Sequence, residues 1–474
     1  MNRLTLNTAL QVATRIIELT SGILVNAWLA RQWGSGAFGQ VGFFMSLSVI
    51  CTFLFDFGLS NLLFRTIARA PRQASHILLN AFLLVIPQCM LGAIVVFGLG
   101  LWQSGGAHGA ILAWICVQLT FNAVTMLLRG SFYAFERMEL ESISTIIERC
   151  TWIGAAIWLA SQPPSPQALF CWLAVSKGMG LATSLLLFFM FIKPRTDPAR
   201  AEAATKRILI REALPFGLNL GFCNIRLVVD ILFLARWAGD VQVGHYRAIG
   251  ILIMPFSLIA EALINSLFPR MCAATHSGPE AVRAYGEGVS RILLRAAIPA
   301  SLFLMLYSRE IVTLIYGEEY LPAASFLAIL ALCIPVRVLI NALGTMLSAS
   351  DRQSRRMICS AIAAGFNLVA NAFVIPRWQA LGACFTALLT DVVLGLSLWF
   401  FLRPTGSLGL ASGHVAVQSL LLSGLIIFPL YLGQAPLFTV AAALGLGYPA
   451  LILLGRSRLL SPLELQLLWR NAAS

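Results

Sequence analysis

Thr52–Arg65 reads TFLFDFGLSNLLFR, a run of large apolar side chains with one carboxylate, Asp56, at its centre and a basic residue at its end. Traced back to Gly39, the run is long enough to cross a hydrocarbon core of about 30 Å as a helix, at about 1.5 Å per residue. A carboxylate inside such a span is costly, at roughly 2.5–3.5 kcal/mol for a charge at the bilayer centre, unless it faces a polar interior. The stretch therefore asks how many spans the chain holds and what Asp56 does in this one.

The rest of the chain is of the same kind. Its 474 residues are 59% hydrophobic and 11% charged, with a mean hydropathy of +0.83. A soluble domain carries about 25% charged residues. About fourteen apolar windows of roughly 20 residues follow one another between residues 6 and 455. Windows of that length exclude a β-barrel, whose strands alternate over about 10 residues. The expected fold is an all-α polytopic membrane protein.

The net charge is +13, and most of the 33 Lys and Arg fall in the N-terminus, the even-numbered connections and the C-terminal tail. Arg31, Arg236, Arg247, Arg309 and Arg377 lie near the opposite ends of spans. This bias predicts cytoplasmic N- and C-termini. The basic connections are short and scattered, which argues against nucleic acid as a partner. Ten cysteines stand singly without a CxxC, and the five histidines are dispersed, so no metal centre and no catalytic triad is expected. The apolar run at the N-terminus is interrupted by Arg15 and Glu18, unlike a signal peptide. Gly34-Ser-Gly-Ala-Phe-Gly39 matches GxGxxG but joins two membrane spans instead of a strand and a helix, and reads as a tight turn. Lys177, Lys193 and Lys206 are not preceded by Gly, so no P-loop exists. No cofactor is expected.

The chain repeats. A shift of 205 residues carries Leu29-Ala-Arg31 onto Leu234-Ala-Arg236, Gly34 and Gly39 onto Gly239 and Gly244, and Arg65 onto Arg270. Thr52, Asp56 and Ser60 fall on Ser257, Glu261 and Asn265. A second correspondence joins Asn122 in the fourth span to Asn341 in the tenth. Six spans separate the copies, so the halves are parallel repeats about an axis along the membrane normal. The expected organisation is two six-helix lobes, 1–192 and 211–403, a basic cytoplasmic linker, 193–210, two further helices in 404–456 and an amphipathic cytoplasmic tail, 457–474.

Polar residues recur at helical spacing inside the spans. Asn7, Gln11, Arg15, Glu18, Gly22 and Asn26 mark one face of the first; Ser48, Thr52, Asp56 and Ser60 one face of the second. Gln118, Asn122, Thr125 and Arg129 line the fourth, and Arg337, Asn341, Thr345 and Ser348 the tenth. Asn219, Cys223, Arg226 and Asp230 line the seventh, and Ser257, Glu261 and Asn265 the eighth. Such stripes serve either as glue between helices or as the lining of a hydrated cavity between the lobes. As a set they favour the cavity. Arg15, Lys177, Arg226 and Arg337, with Asn122 and Asn341, are the candidate groups for an anionic, sugar-bearing substrate, because a guanidinium fork suits phosphate and amides suit hydroxyls. Glu18, Asp56, Asp230, Glu261 and Asp391 are the candidates for ion coupling or for ion pairs that hold the cations.

Leu29-Ala-Arg-Gln-Trp-Gly-Ser-Gly-Ala-Phe-Gly39, Phe57-Gly-Leu-Ser60 and Leu63-Phe-Arg-Thr-Ile-Ala-Arg69 resemble the corresponding segments of the polysaccharide-transporter branch of the multidrug/oligosaccharidyl-lipid/polysaccharide exporter superfamily, the O-antigen-type flippases. The resemblance implies a non-enzymatic transporter of the bacterial inner membrane. It would move an undecaprenyl-pyrophosphate-linked oligosaccharide between leaflets by alternating access, for O-antigen, lipopolysaccharide or exopolysaccharide assembly. A polysaccharide polymerase and chain-length machinery are the implied partners besides the bilayer. The branch carries no universal catalytic motif, so the site residues rest on the stripes alone. A lipid II flippase and a drug/cation antiporter of the same superfamily are the alternatives, the latter disfavoured by the intramembrane arginines. A membrane glycosyltransferase or polymerase is disfavoured by the lack of a long outer loop.

Overall fold

The computed structural model describes the backbone of residues 3–60, 63, 67, 74–104, 108–135, 137–191, 206–274, 278–350, 352–402, 410–433 and 436–448. Side chains are described over the same residues except 3–19, 74–76, 102–104, 134, 206–216, 262, 265–270, 273–274, 279, 410–413 and 446–447. Among the described residues the regular structure is entirely helical: α1 (Arg3–Asp56), α2 (Ala74–Ser104), α3 (Gly109–Ala134), α4 (Met138–Ala160), α5 (Pro166–Phe191), α6 (Lys206–Trp237), α7 (Gly239–Ala274), α8 (Pro279–Leu306), α9 (Ser308–Tyr316), a 3-10 segment (Glu318–Ala323), α10 (Ala324–Ala331), α11 (Cys333–Ala349), α12 (Gln353–Leu402), α13 (Leu410–Leu432) and α14 (Leu437–Ala442). Eleven helical segments among the described residues are long and apolar enough to cross a membrane. Two of them, α1 and α12, each hold two spans, which makes thirteen among the described residues, in keeping with a total of about fourteen. It is a multi-pass membrane protein.

The breaks in α1 and α12 have separate causes. In α1 the backbone turns at Gly34 (φ 74°, ψ 171°), a conformation that costs a residue without a Cβ little. In α12 it turns at Gln379 (φ 48°, ψ −132°), three residues after Pro376. The two halves of α12 then run back against each other. Asn367 Nδ2 donates to Thr390 Oγ1 at 3.1 Å and Thr386 Oγ1 to Asn371 Oδ1 at 2.5 Å, two rungs that are both centred on the Trp378–Gln379 peptide. All four side chains are buried, so each polar group finds its partner inside the hairpin.

The chain divides into two compact units, Met1–Gly244 and His245–Ser474. In the first, α3 and α4 pack on α5, and α1 packs on α2, α4 and α6. Its core is built from side chains such as Leu47, Phe55, Leu112, Phe132 and Phe170. Along α6 the contact with the second half of α1 is antiparallel and backbone-close. A Cβ on Gly217 would stand 2.8 Å from the Phe57 carbonyl oxygen, one on Gly221 3.2 Å from the Phe53 ring, and Asn224 Nδ2 donates to the Val49 carbonyl at 2.9 Å.

The 205-residue correspondence has a geometric counterpart at the ends of these helices. Gly34 and Gly239 both take positive φ, at 74° and 80°. Five residues on, a Cβ on Gly39 would fall 1.8 Å from the Asp240 carbonyl oxygen, and one on Gly244 2.0 Å from the Ser35 carbonyl oxygen. Asp240 corresponds to Ser35 and Gly244 to Gly39, so the contact is reciprocal.

In the second unit α8 packs on α11 and α13, and α11 on α12. Pro335 lacks the N–H that would bond the carbonyl four residues back, so helix breaks between α10 and α11. The Ala331 carbonyl freed by this accepts from Ser301 Oγ of α8 at 2.8 Å. Residues 309–321, which the apolar windows leave as a connection, form α9 and the 3-10 segment. These are clamped to the start of α7: Tyr316 OH donates to the Ala248 carbonyl at 2.7 Å, and His245 Nε2 lies 3.2 Å from the Glu319 carbonyl oxygen.

Candidate functional site: buried ion clusters in two helix bundles

Near the middle of the first unit three helices bring one acid and two cations together. Glu148 on α4 accepts from Arg129 Nη2 on α3 at 2.8 Å through Oε2, and from Lys177 Nζ on α5 at 2.7 Å through Oε1. The side chains of Arg129 and Glu148 are 6% and 5% exposed, and that of Lys177 is 19% exposed, so the lysine is the accessible member. Gly180, three residues after Lys177, leaves room for the carboxylate, since a Cβ there would lie 2.7 Å from Glu148 Oε2. Ser144, one turn before Glu148, accepts from Arg129 Nη2 at 3.0 Å and stands 2.6 Å from Ser184 Oγ. Arg129 Nε is out of solvent and has no hydrogen-bond partner. Two cations on one carboxylate leave the cluster with a formal charge of +1 inside the membrane, an arrangement that favours an arriving anion.

The second unit has a simpler counterpart. Arg337 Nε on α11 donates to Asp391 Oδ2 on the second half of α12 at 2.7 Å, with the arginine side chain 24% exposed and the aspartate 1%. This bond holds a partly exposed cation against a carboxylate that stays inside.

The other predicted residues fall as follows. Arg15 and Glu18 have side chains outside the described residues. Asn122 and Asn341 are half-buried on α3 and α11, and the Asn341 carbonyl accepts from Thr345 Oγ1 at 2.8 Å. Arg226 is half-buried and Asp230 buried on α6. Glu261 is exposed on α7. Asp56 is buried where α1 ends. Phe57 and Gly58 follow it with φ of 46° and 78°, and helix resumes at Leu59. Its Oδ1 accepts from the Ser60 amide at 3.1 Å and its Oδ2 from Ser60 Oγ at 2.8 Å. Both carboxylate oxygens thus serve the restart of the helix. Asp56 and Glu261 correspond by repeat yet stand in different surroundings, one buried at a helix break and the other exposed on an unbroken helix.

Glu148, the centre of the first cluster, is absent from the sequence reading. It adjoins Arg149 near the start of a weak apolar window and looks like the edge of a connection, whereas α4 begins at Met138 and puts Glu148 well inside the span. The signal was the spacing Glu141, Ser144, Glu148, one face of a helix. Arg129 stood in the fourth-span stripe but not among the chosen cations.

A family profile described as polysaccharide biosynthesis protein matches residues 4–274, more than half of the chain. The chain belongs to this family. The probable low-salt glycan biosynthesis flippase Agl15 of Haloferax volcanii is 23% identical over 374 residues, covering 77% of this chain and 76% of that protein. An uncharacterized membrane protein in the cps region of Klebsiella pneumoniae is 23% identical over 220 residues, covering 45% of this chain and 43% of that protein. Among solved structures, lipid II flippase MurJ in an inward closed conformation matches with a TM-score of 0.73 at 12% identity, over 96% of this chain and 99% of that one. An inward-facing multidrug resistance MATE family transporter of the MOP superfamily matches with a TM-score of 0.60 at 15% identity, over 82% and 94%. These structural likenesses establish the fold, which this chain shares with MurJ and the MATE transporter.

Proposed function

We propose that the protein is a flippase for a lipid-linked oligosaccharide, carrying an undecaprenyl-pyrophosphate-linked glycan from the cytoplasmic to the outer leaflet of a bacterial inner membrane by alternating access. The observation that carries the reading is the net-positive cluster of Arg129, Lys177 and Glu148 inside a membrane bundle. A cationic centre suits a diphosphate and not a cationic drug. Membership of the polysaccharide biosynthesis family and the glycan flippase among its relatives support the same assignment. In this reading Lys177 and Arg337 meet the diphosphate, with Arg15 and Arg226 as further cations and Asn122 and Asn341 meeting sugar hydroxyls. Glu148 and Asp391 hold the cations in place, and Glu18, Asp230 and Glu261 are open to ion coupling. The lobes are 1–192 and 211–403, with both termini in the cytoplasm. Surface O-antigen or exopolysaccharide assembly, with its polymerase and chain-length proteins, is the proposed setting.

The test is complementation. Strains with defined defects in the export of lipid-linked glycans are supplied with this chain, and surface polysaccharide is measured. Restoration is expected in at least one such strain, with Lys177→Ala and Arg337→Ala failing at unchanged membrane abundance. Equal export by both variants would remove the cation-cluster reading.

A further inference from the structure

The turn between α11 and α12 carries three arginines, Arg352, Arg355 and Arg356, over five residues. It lies at the end of one membrane span and the start of the next, on an even-numbered connection that the charge bias puts on the cytoplasmic side. Elsewhere in the described structure the inward-facing arginines Arg129 and Arg337 each answer a carboxylate. These three do not: none is ion-paired among the described residues, where Arg137, Arg283 and Arg291 on other membrane-boundary helices are.

The Arg356 guanidinium is nevertheless positioned, and by neutral groups. Arg356 Nη1 donates to Ser348 Oγ at 2.8 Å, and Ser348 Oγ lies 3.0 Å from Gln353 Oε1. Arg356 lies across Gly344, with Nε 3.3 Å from where a Cβ would stand, so α11 offers a flat bed for the guanidinium. Ser350 Oγ closes the end of α11 by donating to the Met346 carbonyl at 2.9 Å, and Arg352 N to the Leu347 carbonyl at 3.1 Å fixes the turn. Arg352 Nη1 is out of solvent and has no hydrogen-bond partner. Arg355 is exposed beside them. A buried charged donor without an acceptor costs free energy that an arriving oxyanion would return. Guanidinium forks match the tetrahedral oxygens of phosphate, and basic residues just inside a membrane attract anionic phosphate esters.

We propose that the Arg352–Arg355–Arg356 turn is a phosphate-ester site at the cytoplasmic membrane surface, separate from the ion clusters within the bundles. Its ligand is the phosphate of a membrane-anchored lipid, supplied either by an anionic phospholipid headgroup or by a prenyl-linked diphosphate waiting in the leaflet. The site does not depend on the transport activity proposed above, and its test needs no transport.

Purified full-length protein in neutral detergent is titrated with three probes, short-chain phosphatidylglycerol, farnesyl diphosphate and, as the zwitterionic control, short-chain phosphatidylcholine, and binding is read by thermophoresis. The wild type should bind at least one anionic probe more tightly than phosphatidylcholine. The triple variant R352Q/R355Q/R356Q should bind that probe between about tenfold and about 100-fold more weakly. Arg355 is exposed, so Arg355→Gln alone leaves the fold undisturbed and should give a smaller loss of the same sign. A loss confined to phosphatidylglycerol identifies the headgroup as the source, and a loss confined to farnesyl diphosphate the prenyl diphosphate. Wild-type affinity of the triple variant for both anionic probes, or no preference of the wild type over phosphatidylcholine, would overturn the proposal.

Discussion

Gly39 meets Asp240 backbone to backbone, and a methyl group on the glycine would lie 1.8 Å from the Asp240 carbonyl oxygen. The opposing atom is main chain, so no rotamer change relieves it. Gly39→Ala is expected to lower the yield of monodisperse protein severely in size-exclusion chromatography of detergent extracts, and Gly244→Ala to do the same through Ser35. Gly36→Ala is the control, because the nearest atom to its Cβ is Val241 Cγ2 at 4.0 Å. Equal yields from Gly36→Ala and Gly39→Ala would show that the close approach is not needed.

Glu148 neutralises two cations at once, so its removal should cost more than removal of either one. Stranding buried cations costs about 3–5 kcal/mol in soluble proteins. Glu148→Gln should therefore lower the unfolding temperature in detergent more than Lys177→Met, which leaves Glu148 paired with Arg129. Lys177→Met should fold and still lose export, because it removes the accessible cation of the cluster.

Ser301 and Pro335 should be energetically coupled through the Ala331 carbonyl. Ser301→Ala leaves that carbonyl without its donor, at about 1–3 kcal/mol. In a Pro335→Ala background the restored N–H can reach the same carbonyl, and Ser301→Ala should cost less. A double-mutant cycle on thermal stability measures this, and additive losses would contradict the assignment.

Asp56 uses both oxygens to start a helix, and an amide can keep one of those bonds. Asp56→Asn should retain export near the wild-type level, whereas Asp56→Ala should lose about 1 kcal/mol of stability, as loss of a helix cap does. Abolished export in a stable Asp56→Asn protein would give the carboxylate a protonic role instead.

Much of this was legible in the sequence. The spans are compositional, and a run of 20 apolar residues has few alternatives in a bilayer. Gly34 and Gly39 recur at Gly239 and Gly244 because one backbone geometry is needed twice, and that survives even where side chains diverge. Arg337 and Asp391 were both recognisable as intramembrane charges. Their union was not, since 54 residues separate them and only helix packing brings them together. Glu148 fell inside the apolar window 143–161, but beside Arg149 near its start it reads as the edge of a connection, whereas the helix begins at Met138. The break at Gln379 was legible as the gap between two apolar windows, 357–376 and 380–402, though not the positive φ at a residue with a Cβ. Gly58 announced the break after Asp56, but the stripe of polar spacing through Ser48, Thr52, Asp56 and Ser60 reads as one continuous helix. The side chain that interrupts the pattern is the one that repairs it.

The Asn–Thr rungs of α12 also bear on how the protein is made. Apolar packing drives helices together only weakly in lipid, where the tails are as oily as the side chains, so hydrogen bonds and close fit decide which helices pair. Here all four partners lie within one stretch of 50 consecutive residues. The hairpin can close as soon as Leu402 has left the ribosome, before the later spans exist. It can thus enter the bilayer as a finished pair, its amides never offered to lipid, and present a settled surface on which α11 docks.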